Sequence, residues 1–118
     1  MTEFISYQEG VNLTLNWDYT KLLCVAFIEN NCDACDSFKT LMVPELEQMG
    51  VDVKIIDMDK NIIPFPPNNT PTTFWYIKEN LPPMQKKGIP PNKFTMIDQV
   101  EKMIKVNRGE LNVEEAFM

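Results

Sequence analysis

Seven consecutive apolar residues, Leu22-Leu23-Cys24-Val25-Ala26-Phe27-Ile28, constrain this chain more than any other stretch. A strand with one wet face alternates apolar and polar side chains. An unbroken apolar run this short belongs to a strand buried on both sides, in a sheet covered by helices. Further strands are expected at about Val51 to Asp57, at Thr73 to Ile77, and at Met84 to Lys87 after a turn around Asn80-Leu81-Pro82-Pro83. Helical spacing of Ala34, Phe38, Leu41, Met42 and Leu46 predicts a helix from Cys32 to Met49, with Gly50 as its stop. Pro44 should kink or split that helix, because it lacks a backbone donor and crowds the preceding turn. Ile97, Val100, Met103 and Ile104 form a second helical stripe, capped by Gly109, and Asn112 to Glu115 can open one last short turn. The N-terminal segment reads two ways. Ser6-Tyr7-Gln8-Glu9 is a capping box with Tyr7, Val11 and Leu15 four residues apart, while Val11 to Trp17 alternates like a strand; the helix is favoured. The order of elements predicts one α/β domain over residues 1–118.

Charge and residue usage exclude several function classes. A net charge of −6 does not suit a nucleic-acid binder, which needs a basic surface for phosphates. No apolar run approaches the roughly 20 residues of a membrane span, and Met1-Thr2-Glu3-Phe4 lacks a signal's basic and apolar regions. A cytoplasmic, monomeric protein is expected. The sequence contains no histidine, which removes imidazole acid–base catalysis, histidine-paired nucleophiles and zinc sites that need imidazole. Its many asparagines, lysines and methionines are the mark of an AT-rich genome, viral genomes included.

Three cysteines cannot build a disulfide framework, so a bridge here points to chemistry rather than to scaffolding. Cys32-Asp33-Ala34-Cys35 stands where the buried strand ends and the first long helix begins. Residues i and i+3 in a first helical turn share a face, with Cα atoms about 5–6 Å apart, within disulfide reach. Unpaired N–H groups and the positive end of the helix dipole there favour thiolate over thiol, and the thiolate is what attacks a disulfide. Cys32 at the tip is the expected attacker and Cys35, one turn deeper, the resolving thiol. Closed zinc coordination would need four ligands, which the remaining Cys24 and the carboxylates do not supply.

With these features the sequence resembles the thioredoxin superfamily over roughly residues 4 to 107: the strand Leu22 to Ile28, the Cys32-Asp33-Ala34-Cys35 motif, the dipeptide Thr70-Pro71, and Gly88. The resemblance implies a central mixed sheet of four to five strands flanked by helices on both faces. It also implies a thiol–disulfide oxidoreductase that reduces protein disulfides, needs no cofactor beyond its own Cys32–Cys35 pair, and is recycled by a thioredoxin reductase or a small thiol. By resemblance Pro71 has a cis peptide bond, and Thr70, Pro71 and Gly88 border the substrate groove together with Asp33 and Ala34. Read alone, Pro71 is an ordinary trans proline opening the strand at Thr72.

Departures from the family pattern carry their own expectations. Asn31 stands for the family's tryptophan and Asp33-Ala34 for Gly-Pro. Ala26 matches the buried aspartate beneath the dithiol, and Ile55 matches its lysine partner; the loss makes a drier core and removes a proton acceptor from Cys35. Pro44 lies four residues later than the family's helix proline. A carboxylate about 6 Å from Cys32, such as that of Asp33, opposes its thiolate by roughly 0.7–3 kcal/mol at effective dielectrics of about 80 to 20. Glu29 and Asp36 push the same way. The potential is therefore expected nearer about −270 mV than the oxidant end near −120 mV. Two alternatives compete: a thioredoxin-scaffold binding module, and a glutaredoxin-like enzyme. The second is disfavoured because Asn92-Lys93 occupies the place of the glycine pair that opens the glutaredoxin helix.

Other residues have plainer readings. Cys24 is expected in the core, Asp57 and Asp59 as solvated turn residues, Trp75 in the core, and Trp17 packed on the first buried strand. Ile62 to Asn69 is a proline-rich connection, either a stiff link or a rim of the groove that presents Phe65 to a partner.

Overall fold

The computed structural model describes residues 3–117. Five strands form one sheet in the order β1-β3-β2-β4-β5: β1 Glu3–Phe4, β2 Leu23–Ile28, β3 Asp52–Asp57, β4 Thr72–Tyr76 and β5 Met84–Lys87. β1 and β2 run parallel to β3, while β4 is antiparallel to both β2 and β5. All six residues of β2 are buried, as expected of a central strand. Successive side chains leave a strand on opposite faces. Accordingly Cys24, Ala26 and Ile28 join one core with Val53, Ile55 and Trp75, and Leu23, Val25 and Phe27 join another with Ile56.

The first core is roofed by α2 (Asp33–Ser37), α3 (Val43–Gln48), α4 (Lys93–Asn107) and α5 (Val113–Phe117). The second is covered by α1 (Tyr7–Leu15). α1 settles the N-terminal ambiguity in favour of the helix. Ser6 Oγ accepts the Glu9 N–H at 3.1 Å and the Ser6 N–H donates to Glu9 Oε1 at 3.0 Å, closing the capping box. Its buried stripe differs from the expected one. Leu15 is 78 % exposed, and the helix touches the sheet through Tyr7, Gly10 and Leu13. Gly10 sets that rotation: a Cβ there would lie 2.9 Å from Ile56 Cδ1, so the helix comes closest where it has no side chain.

The helix after the motif neither breaks nor splits at Pro44. A π-helical turn over Phe38–Met42 joins α2 to α3, and the Val43 N–H donates to Phe38 O, five residues back. Proline leaves an i−4 carbonyl without its donor, and the wider turn just before Pro44 shifts the bonding frame to accommodate it. The extra residue also changes the helical phase. Leu41, expected in the core, is 74 % exposed, and Phe38, Met42, Val43 and Leu46 fill the interior.

No helix occurs between β3 and β4 among the described residues. The connection instead runs through the proline-rich segment, whose Ile63 packs on the α1 side of the sheet. Beneath it lies a cavity of about 440 Å³ bordered by Tyr7, Val25, Phe27, Phe65, Phe74 and Tyr76. Phe65 lies 93 % exposed at its edge, toward α1. At the other end of the chain, the Asn107 amide donates to Tyr19 O and Ile77 O at 3.1 and 2.8 Å, tying α4 to the sheet. Asn112 Oδ1 accepts the Glu115 N–H at 2.7 Å and opens α5, the short final turn expected there.

Candidate active site

β2 and β4 run in opposite directions, with Phe27 paired to Thr72. The end of β2 therefore lies beside the start of β4, which brings the loop holding Cys32 against Thr70 and Pro71. Two features hold the approach to Cys32. Asn31 sits at φ +55°, a left-handed conformation that asparagine tolerates better than most residues. The Asn30 N–H donates to Asp59 Oδ2, and Asp57 Oδ1 accepts the Asp59 N–H at 2.9 Å. These aspartates thus organise the turn and anchor the loop before the cysteines, a more definite role than solvation.

Cys32 and Cys35 form a disulfide with Cα atoms 5.2 Å apart. Cys32 is the N-cap of α2, in extended conformation, and its sulfur accepts the Cys35 N–H at 3.1 Å. An N–H donor and the helix's positive end both stabilise negative charge on that sulfur. The two positions are unequal. Cys32 is half-buried, whereas Cys35 is fully buried.

The Thr70–Pro71 peptide bond is cis. Thr70 O lies 3.4 Å from Cys32 Sγ, and Thr70 Oγ1 lies 3.6 Å from it. Gly88, at φ +74°, donates its N–H to Pro71 O at 2.8 Å, so the glycine borders the same loop. A Cβ at Gly88 would meet nothing within 4 Å; backbone conformation, not crowding inside the molecule, explains a glycine there. Asp33 is exposed and Ala34 half-buried on the first turn of α2. Thr70, Pro71, Gly88 and the cysteine pair are thus brought together around one surface.

On the sheet face shared with Cys35, Ala26 has Ile55 on one side and the buried Thr73 on the other, and none of the three carries a charge. Ala26 is directly paired with Ile55, and the two are 0 % and 2 % exposed. Cys24 is free and buried, and burial pushes its thiol far above the usual range. In the reduced protein at neutral pH, brief iodoacetamide treatment is expected to alkylate Cys32 and to spare Cys24 until denaturant is added. Peptide mapping checks this; prompt native labelling of Cys24 would contradict its placement. Trp75 is buried with its indole N–H donating to Thr73 Oγ1 at 2.8 Å, and Trp17 packs on the β2 face over Leu23, Val25 and Phe27.

One polar contact has no counterpart in local sequence. Thr70 Oγ1 donates to Glu29 Oε1 at 2.7 Å, joining residues 41 positions apart.

Chloroplastic thioredoxin z superposes with a TM-score of 0.69 at 21 % identity, covering 86 % of this chain and 93 % of its own. The chain has the thioredoxin fold. The reduced thioredoxin pre-protein of Schistosoma mansoni superposes at 0.61 with 18 % identity, over 87 % of this chain and 98 % of that one. Oxidised thioredoxin O1 of Arabidopsis thaliana gives 0.56 with 16 % identity, over 87 % and 96 %. No protein-family model and no curated protein sequence matches the chain. The likeness to thioredoxins is therefore one of architecture, carried by this sheet order with a Cys-x-x-Cys disulfide at the end of β2. Among the described residues no helix is long and apolar enough to cross a membrane.

Proposed function

We propose that the protein is a thiol–disulfide oxidoreductase of thioredoxin type that reduces disulfides in other proteins. The observation that supports this most is the inequality of the two sulfurs, one half-buried at a helix N-cap beside Thr70, the other sealed one turn below. Cys32 as thiolate attacks a substrate disulfide, forms a mixed disulfide and releases one substrate thiolate. Cys35 then loses its proton and attacks Cys32 Sγ, which re-forms the Cys32–Cys35 bond and releases the second thiolate. Two electrons pass to the substrate, and a thioredoxin reductase or small thiol restores the dithiol. The substrate chain runs along Thr70, Pro71 and Gly88 in strand-like pairing, with Asp33 and Ala34 at the rim. The reaction is that of a cytoplasmic monomer acting on disulfide-containing proteins.

The test is reduction of insulin by dithiothreitol, which the protein should accelerate well above the rate of dithiothreitol alone. Equal rates would favour the second reading, a thioredoxin scaffold used for binding. The apolar Ala26–Ile55 pair and the exposed Ile62 and Phe65 are the observations on that side.

Acidic residues around the dithiol make a further prediction. Asp33 and Asp36 lie in the first turn of α2, Glu29 bonds Thr70 beside Cys32, and Lys39 lies 3.5 Å from Asp36. Net negative charge destabilises the thiolate, which favours the disulfide over the reduced form and lowers the potential. Equilibration with glutathione or dithiothreitol should place the midpoint near about −270 mV. A value above roughly −180 mV would contradict the charge reasoning.

A further inference from the structure

Ala26 and Ile55 put no charged group below the dithiol, yet a carboxylate is linked to Cys32 from the side. Glu29 follows β2 directly and is exposed; Thr70 precedes Pro71 and is half-buried. Between them stands one hydroxyl. Thr70 Oγ1 is 2.7 Å from Glu29 Oε1 and 3.6 Å from Cys32 Sγ.

A threonine hydroxyl carries a single proton and can donate it in only one direction at a time. Its geometry admits donation to either Glu29 Oε1 or Cys32 Sγ, and the 2.7 Å contact, at the short distance typical of a charge-assisted bond, favours the carboxylate. The oxygen then turns lone pairs, not its proton, toward the sulfur. In the oxidised protein this costs nothing, because a disulfide sulfur is a poor acceptor. In the reduced protein the same orientation withholds a donor from the Cys32 thiolate, which otherwise has the Cys35 N–H.

We propose that Glu29 is a positioning residue that sets the reactivity of Cys32 through the Thr70 hydroxyl, by claiming the proton that the attacking sulfur would otherwise receive. The proposal rests on the reading of Cys32 as the attacker and names what tunes it. Glu29 itself touches no reacting atom. Its action through Thr70 differs from simple repulsion by a nearby charge, and the difference is measurable.

The experiment is a double-mutant cycle on the full chain: wild type, Glu29→Ala, Thr70→Val and the pair. The readout is the pH dependence of Cys32 alkylation by iodoacetamide in the reduced protein. Asp33 and Asp36 on α2 with Lys39 beside them, Asp57 at the end of β3 and Asp59 after it, and Lys86 and Lys87 on β5 are unchanged in all four proteins, so their fields cancel in the comparison. Removing Glu29 should free the hydroxyl to donate to the thiolate and lower the inflection by about one pH unit. With valine at position 70 the same removal should lower it by about a third of that or less, the residue of through-space charge. Thr70→Ser keeps the hydroxyl and should restore the full Glu29 effect, which also guards against misfolding of the valine variant.

Equal shifts with threonine and with valine would mean that Glu29 acts only through space, and would overturn the proposal. So would the absence of any shift on removing Glu29. Because alkylation needs no turnover, these outcomes are independent of the insulin assay: an inactive protein with intact coupling would fail the proposed function alone.

Discussion

Cys32→Ser is expected to leave insulin reduction at the rate of dithiothreitol alone, while Cys35→Ser should instead accumulate a covalent complex with its substrate. Serine at position 32 removes the nucleophile altogether, so the expected loss is complete and not a matter of degree. Serine at position 35 leaves the half-buried sulfur free to attack but removes the group that breaks the intermediate. Cys35 is 0 % exposed, with its Cα 5.2 Å from that of Cys32, so no external thiol reaches the mixed disulfide as readily as the internal one. Non-reducing electrophoresis after mixing with a disulfide-containing protein should show a band of the summed mass for Cys35→Ser. That band should be lost on adding excess dithiothreitol, and Cys32→Ser should show none. The opposite assignment, with complexes trapped by Cys32→Ser, would require Cys35 to come to the surface. That contradicts its burial under the first turn of α2. Complexes from both variants would show the two thiols to be equivalent, and the asymmetry of the site would then have no chemical meaning.

Much of this site is visible in the chain because its parts are local. Leu22 to Ile28 is an uninterrupted apolar run, and the cysteines follow it within one turn, so strand, turn and helix can be read without knowledge of anything distant. The same holds for the Ser6–Glu9 capping box and for Asn112 before the last helix. Features that depend on packing were not visible. Leu41 and Leu15 sit at helical spacing with their neighbours, yet both face solvent: one because a π turn changes the phase ahead of Pro44, the other because Gly10 decides where α1 meets the sheet. The Glu29–Thr70 contact spans 41 residues and depends on the antiparallel placement of β2 and β4. Neither residue announces it. Likewise Asp59 looks like a turn carboxylate until the fold sets it under Asn30. Pattern reveals elements well; it says little about which polar atoms the assembled elements bring together.

A carboxylate introduced at position 26 should invert the acid response of the protein's stability. Ala26 is fully buried, with Ile55 on one neighbouring strand and Thr73 on the other, and its core partners include Cys24, Ile28 and Trp75. Asp there has no cation to pair with and would be strongly desolvated, which raises its pKa above the unfolded value near 3.9. The sign follows from proton binding. Between the unfolded and folded pKa values the folded state binds more protons, so the Ala26→Asp variant loses stability as pH rises through that window. If the folded value reaches about 7, the penalty at neutral pH is roughly 4 kcal/mol, and lowering the pH to about 5 should return a little over 2 kcal/mol of it. Against a typical total of about 5–15 kcal/mol this is a large effect. The wild-type protein should respond in the opposite sense, because Glu3, held low by its bond from Lys54, and Glu9, held low by the Ser6 cap, favour folding only while ionised. Urea midpoints from pH 3 to 8 would show both senses, the variant gaining stability as pH falls from about 7 to 5 and the wild type losing it only below the ordinary glutamate value of 4.5, with Ala26→Asn as the uncharged control whose pH slope should track the wild type. Parallel curves for the aspartate variant and wild type would mean that water or a rearranged side chain already reaches this layer. Ile55→Lys added to the variant should recover part of the loss, since the two positions are direct neighbours across β2 and β3. A recovered pair would also place a proton acceptor below Cys35. Faster release of the mixed disulfide in that double variant, despite its lower stability, would show that the dry floor of the site limits its turnover.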